Sequence, residues 1–396
     1  MKRTVIFSLA GVVLVSFLLR LVVSLVANDI IDIQNYDTVA RIVLSKGALP
    51  GLYAQTQGIY PYPPLWVWLE LLAHGLATLY PIRFGLWIRL PVILADCGIV
   101  ALLWNIGYKH SLRRATLFSL LYGLNPISVI ITGLHGQFDA LLVLFTLLSI
   151  YLLIWTQRVH WSALALSIAI AWKSFPALFI IPCILDLPQL RRKLGFAILA
   201  MLPVALLLLP FALNSYQAVI RELLGYRGVA LLGLMVPLRL IYVPIVGSSF
   251  PLDTTLQILG WSGALFAVLY AIQVVWVMPR QDLLARMILT LALFYSAYAG
   301  ISPQYLVWVI PFLIVDYERF PSLFWLYTAA GMLALIGFYS YAIPSTLLLN
   351  VAAGSSWSKI VYGLGGTAWW LSCLLIVLRH LSLRSEQPRL APEPVT

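Results

Sequence analysis

Three carboxylates, Asp29, Asp32 and Asp37, crowd into residues 28–66, NDIIDIQNYDTVARIVLSKGALPGLYAQTQGIYPYPPLW. This is the one long polar interruption of a very apolar chain, and it closes on aromatic residues and a double proline. A carboxylate at a bilayer surface can take a proton from a hydroxyl, which points to acid/base work on a lipid-borne substrate. Further along stand Arg89, the run His135-Gly136-Gln137-Phe138-Asp139, Lys173 and Ser302-Pro303-Gln304-Tyr305. A carboxylate combined with lysine, arginine or histidine at membrane depth suits group transfer from a lipid phosphate, the cation stabilising the departing phosphate.

Each of these residues also has a plainer use. His135 alone reads as a capping or interfacial histidine, and Asp139 as an acid in the first turn of a helix that begins near 137. Asp29 can simply end the first helix in water, and Asp37 can open an interfacial helix at about 36–46. Asp96, inside RLPVILADCGIV, reads as the structural partner of a neighbouring helix. Lys173 is the hardest to dismiss, because a buried lysine at a helix break needs an anion or a carboxylate.

The elements that must position these groups are membrane helices. Of the 396 residues, 62% are hydrophobic and only 10% charged, and the mean hydropathy is +0.96, far from the roughly 25% charge of a soluble domain. The apolar runs are long and continuous, which argues against a β-barrel. At about 20 residues per span, the expectation is an all-α polytopic bundle of about 12 crossings, short half-helices included, formed by residues 1–378. Residues 379–396 then make a disordered cytoplasmic tail. Cys97, Cys183 and Cys373 lie in apolar runs and imply no disulfide framework.

The net charge of +11 is an orientation signal, so nucleic acid is not an expected partner. Lys109, Arg113 and Arg114, and Arg191 to Lys193 fall between apolar runs, and Arg379 with Arg384 follows the last one. Under the positive-inside rule both termini face the cytoplasm of a multi-pass cell-membrane protein, and residues 28–83 form an external loop carrying interfacial helices. Residues 4–27 act as an uncleaved signal anchor, and 64–80 lie along the outer interface. Arg158 and Arg191 are too close for two ordinary spans, so a pair of short helices, 162–172 and 176–187, should meet at Lys173, with Pro176 opening the second. Residues 84–106 return inward to the basic loop at 109–114, and further crossings are expected at 115–133, 137–156, 195–213, 254–278, 287–300, 305–316, 322–345 and 358–378. Residues 214–250 stay external, and 227–247 are left open as a dipping element.

With these elements in place the residues carry a resemblance. Asp32, Tyr36, Ala40, Gly47, Tyr53 and Tyr62-Pro63-Pro64-Leu65, followed by RLPVILAD, HGQFDALL, Lys173 and Gln304-Tyr305, resemble the GT-C superfamily of membrane glycosyltransferases in kind and order. The pattern is similar to bacterial polyprenyl-phosphate-sugar mannosyltransferases and covers roughly residues 1–320. The resemblance implies a hexosyltransferase that takes mannose or glucose from a polyprenyl-phosphate donor in the outer leaflet. The acceptor would be a lipid-linked or cell-envelope glycan.

Asp32 matches the family's catalytic carboxylate, with Asp37 a second candidate. Tyr62 with its prolines would shape the loop beneath the donor, and His135 and Gln137 would line the site. Lys173, Arg89, Gln304 and Tyr305 would serve donor phosphate or sugar. Gln34 departs from branches that carry a second acid two residues after the first, so a divalent cation, magnesium or manganese, stays open. Two alternatives from other classes are a transporter or flippase of a polar lipid, which would use the same cations, and a scaffold subunit of an envelope assembly. No P-loop, dinucleotide or zinc pattern occurs.

Overall fold

The computed structural model describes residues 2–47, 49–246, 250–342 and 356–382. It is 82% helical and has no strand among the described residues, only an isolated antiparallel bridge between Leu232 and Ile301. Six helices are long and apolar enough to cross a membrane, or seven if the bent pair Leu112–Gly123 and Pro126–His135 is one span. The chain is therefore a membrane-embedded helical protein. The remaining apolar helices, Leu65–Leu79, Asp139–Ile154, Val159–Trp172, Phe175–Leu185, Leu283–Ala297 and Pro303–Val315, are too short for a full crossing on their own.

The chain divides into two compact units. One comprises Met1–Leu124 with Ser128–Tyr226, the other Asn125–Ile127 with Arg227–Thr396.

The first unit is organised by a charge buried in its first helix, Lys2–Val26. Arg20 is wholly buried and donates from Nε to Asp96 Oδ2 at 2.6 Å. Its other nitrogens reach Ser16 Oγ at 2.7 Å, the Gly123 carbonyl at 2.8 Å and Ser128 Oγ at 2.7 Å. Tyr122 completes the shell by donating to Asp96 Oδ1 at 2.5 Å. Burial of an ion pair is tolerable only when both partners are hydrogen-bonded in this way. The network ties together the helices Lys2–Val26, Phe84–Tyr108 and Leu112–Gly123, which gives Asp96 the structural role expected of it.

Several elements differ in extent from their sequence expectations. The interfacial helix runs from Ile31 to Lys46, five residues ahead of the expected start, so Asp32 lies in its first turn and Asp37 in its second. It stops at Gly47, whose left-handed φ of 62° lets its N–H reach the Val43 carbonyl. The expected span 195–213 is part of a continuous apolar stretch, Leu190–Leu224, with non-helical backbone at Ser215. Part of the region left open, 227–247, forms the helix Met235–Val246. Residues 383–396 of the expected tail lie outside the described residues.

In the second unit the helices Pro321–Ala342 and Ser356–Leu381 pack at backbone distance. A Cβ at Gly337 would fall 2.3 Å from Tyr362 Cα, and one at Gly365 would fall 2.6 Å from the Leu333 carbonyl carbon. Small residues permit this approach, which is how helices associate where no hydrophobic effect separates them from lipid.

Candidate active site

The site is built on the helix Ile31–Lys46, which buries Ile33, Tyr36, Val39, Ala40 and Val43 along one stripe. Asp32 sits at the edge of that stripe, with its side chain 31% exposed. Opposite it, the π-helical turn Ile130–His135 ends at Gly136, whose φ is 74°. That left-handed residue reverses the chain so that His135 and Gln137, on either side of it, both reach Asp32. His135 Nε2 lies 2.8 Å from Asp32 Oδ2, and Gln137 Nε2 donates to the same oxygen at 2.7 Å.

Hydrogen positions follow from the network. The Tyr36 hydroxyl donates to Gln137 Oε1 at 2.7 Å, which turns the amide nitrogen toward Asp32. Burial, with smaller contributions from Tyr62 and Asp32, pushes the Tyr36 phenol well above its ordinary value, so it remains a donor. An ionised carboxylate only accepts, so His135 Nε2 carries a hydrogen. Burial pushes the Asp32 carboxyl up, but His135, the Gln137 hydrogen bond and the charge of Lys173 outweigh it, and Asp32 lies below its ordinary value. The outcome is an ionised carboxylate with one oxygen held and an open side.

Behind this group stands a layer of aromatic rings. Phe138 stacks on Trp66 at 4.5 Å between centroids and meets Tyr62 edge-on at 4.8 Å, while Tyr36 packs on Trp66 at 5.2 Å. The Tyr-Pro-Pro segment is clamped by hydrogen bonds. Tyr53 donates to the Tyr62 carbonyl at 2.8 Å, Tyr60 donates to the Pro63 carbonyl at 3.0 Å and accepts from Val67 N–H at 2.9 Å.

Lys173 follows the helix Val159–Trp172 in extended conformation and precedes the 3-10 turn Phe175–Phe179, so the expected break falls where the sequence places it. Its Nζ lies 5.4 Å from the Phe138 ring and 5.8 Å from that of Tyr62. It also bonds both oxygens of buried Asp139, at 3.0 and 3.3 Å. Arg89 is similarly engaged, donating to Asp29 Oδ1 at 2.7 Å and to the Leu134 carbonyl at 3.0 Å. Each cation is therefore held by a carboxylate, and Asp29 also faces Arg83 at 3.9 Å.

Asp37 is bonded to His74 Nδ1 at 2.7 Å and to the Arg41 guanidinium one turn along its helix. Gln304 and Tyr305 belong to the second unit, where Tyr305 stacks on Trp308 at 4.2 Å and its carbonyl accepts from Tyr295. Glu70, which as an acid in the segment 64–80 suits an interfacial position, instead lies inside this region. It is fully buried, neither oxygen has a hydrogen-bond partner of regular geometry among the described residues, and burial pushes its carboxyl well above the ordinary range. A lone acid in the apolar run LWVWLELLAHGL was the available signal. Arg20 was hidden in the same way, inside an otherwise apolar first helix.

Among the described residues no three His, Cys, Asp or Glu side chains lie close enough to hold a metal ion between them. What the arrangement can do chemically is hold Asp32 as an ionised carboxylate able to accept a proton on its open side, with His135 stabilising the charged form. Comparison of the chain with protein-family models finds no match, and comparison with curated proteins finds none either.

Proposed function

We propose that the protein is a membrane glycosyltransferase that moves a hexose from a polyprenyl-phosphate donor to a lipid-linked or cell-envelope glycan, with Asp32 as general base. The observation that carries this reading is the ionised, partly open Asp32 carboxylate, fixed at 2.8 and 2.7 Å by His135 and Gln137. In this reading Asp32 takes the proton of the acceptor hydroxyl as that oxygen attacks the anomeric carbon. The bond from that carbon to the phosphate oxygen breaks, and polyprenyl phosphate leaves with the electron pair. His135 and the Lys173–Asp139 pair line the path of the phosphate. The aromatic layer of Tyr62, Phe138 and Trp66 excludes water from the reacting carbon.

A topology of about 12 crossings, with the short helices paired as half-spans and both termini cytoplasmic, puts the helix Ile31–Lys46 on the outer face. A divalent cation, if the reaction uses one, would take Asp32 and donor phosphate oxygens as ligands. The test uses membranes from cells expressing the protein, incubated with radiolabelled polyprenyl-phosphate mannose or glucose. Label should enter a lipid or polymer fraction, and Asp32→Asn should lower the rate by about two to four orders of magnitude. Transfer at an undiminished rate by a well-expressed Asp32→Asn variant ends the proposal. Chelator in a parallel sample reads out metal dependence.

A further inference from the structure

An open cavity of about 480 Å³ in the first unit is lined by Gln57, Gly58, Arg221, Glu222, Gly225 and Tyr226. It forms where the turn after the helix Leu52–Thr56 meets the π-helical turn Ile220–Leu224. Glu222 ties the two together. This carboxylate, only 5% exposed, accepts from the Gly58 N–H at 2.9 Å and from Arg221 Nε at 2.9 Å. Gly58 has a φ of 82°, and a Cβ there would meet nothing within 4 Å, so the backbone faces open space.

The lining discriminates between ligand types. An anion finds Arg221 already neutralised by Glu222, and no second cation lines the cavity. A metal ion finds one carboxylate, which is already bonded twice. A neutral ligand with many hydroxyls finds what it needs: guanidinium and amide N–H donors on Arg221 and Gln57, acceptor lone pairs on Glu222, and the exposed Tyr226 ring for an apolar sugar face. The cavity is also tied to the site by the chain itself. Gly58 and Tyr62 are four residues apart, so their Cα atoms are separated by at most about 14 Å. Tyr62 meets Phe138, next in sequence to Gln137.

From this placement we infer that the cavity is a saccharide subsite, holding a sugar ring of the acceptor while its reacting hydroxyl extends along the 58–62 loop to Asp32. The inference rests on the glycosyl-transfer reading for the word acceptor, but its test does not need turnover. Saturation-transfer NMR on the full-length, detergent-solubilised protein would use methyl α-mannoside, methyl α-glucoside and mannobiose as probes, without donor. At least one should bind with a dissociation constant of about 1 mM. Glu222→Gln and Gln57→Ala should each weaken it about tenfold, the loss expected for one hydrogen bond to a polar or charged partner.

Gln57→Ala leaves the Glu222 bonds intact, so it reports even if Glu222→Gln unfolds. Asp32→Asn should leave binding unchanged. The inference is overturned if no probe gives saturation transfer to the wild type at about 10 mM, or if binding survives Gln57→Ala and is abolished by Asp32→Asn. Lost glycosyl transfer with this binding pattern intact counts against the transferase reading alone.

Discussion

Gly136→Ala is the substitution that most directly tests how the site is assembled. Gly136 carries a φ of 74° and sits between the two residues that hold Asp32. A non-glycine residue in the left-handed region costs about 1–2 kcal/mol. The added Cβ would also lie 2.8 Å from Arg89 Nε and 2.8 Å from Ile33 Cδ1, an overpacking worth about 1–3 kcal/mol.

The Ile33 contact is the end of a side chain and can shift, but Arg89 can yield only by disturbing its own bonds. Arg89 holds Asp29 and the Leu134 carbonyl, and Ile33 adjoins Asp32 in the helix Ile31–Lys46. The variant should therefore lose about 2–5 kcal/mol of stability and up to about 100-fold in transfer, the effect of a displacement near 1 Å at a reacting group. Gly136→Asn supplies the comparison, because asparagine tolerates left-handed backbone but still overlaps Arg89. It should unfold at a temperature between those of wild type and the alanine variant if both contributions operate. Thermal unfolding in detergent and the radiolabel assay measure the two effects. Wild-type unfolding and transfer in Gly136→Ala would refute the argument.

Two further outcomes concern buried charge. Lys173→Met leaves Asp139 buried without its lysine and should cost about 3–5 kcal/mol, while Lys173→Met with Asp139→Asn should regain a large part of that; a double variant no more stable than the single one in thermal unfolding would deny the pair. Glu70, whose carboxyl is pushed up by burial, adds stability below its unfolded value of about 4.3 and loses it as pH rises toward the folded value. Glu70→Gln should therefore gain on the wild type between pH 4 and pH 7 in apparent unfolding temperature, and a gain that shrinks over that range would contradict it.

The apolar run lengths and scarcity of charge determined that this chain is a helical membrane protein, because those properties belong to each segment separately. The candidate residues Asp32, His135, Gln137 and Lys173 were legible for a related reason: polar groups stand out against apolar neighbours, and Gly136 and Pro176 mark turns that the backbone must make. What each group does was decided by packing. Asp32 meets Gln137 across 105 residues, Arg89 meets Asp29 across 60, and Lys173 meets Asp139 across 34. No local pattern encodes which opposite charge a helix will face once it is packed. Tertiary structure alone set Lys173 against Asp139 and Arg89 against Asp29, matched Asp96 to an arginine inside the first helix, and left Asp32 the most exposed of the three loop acids.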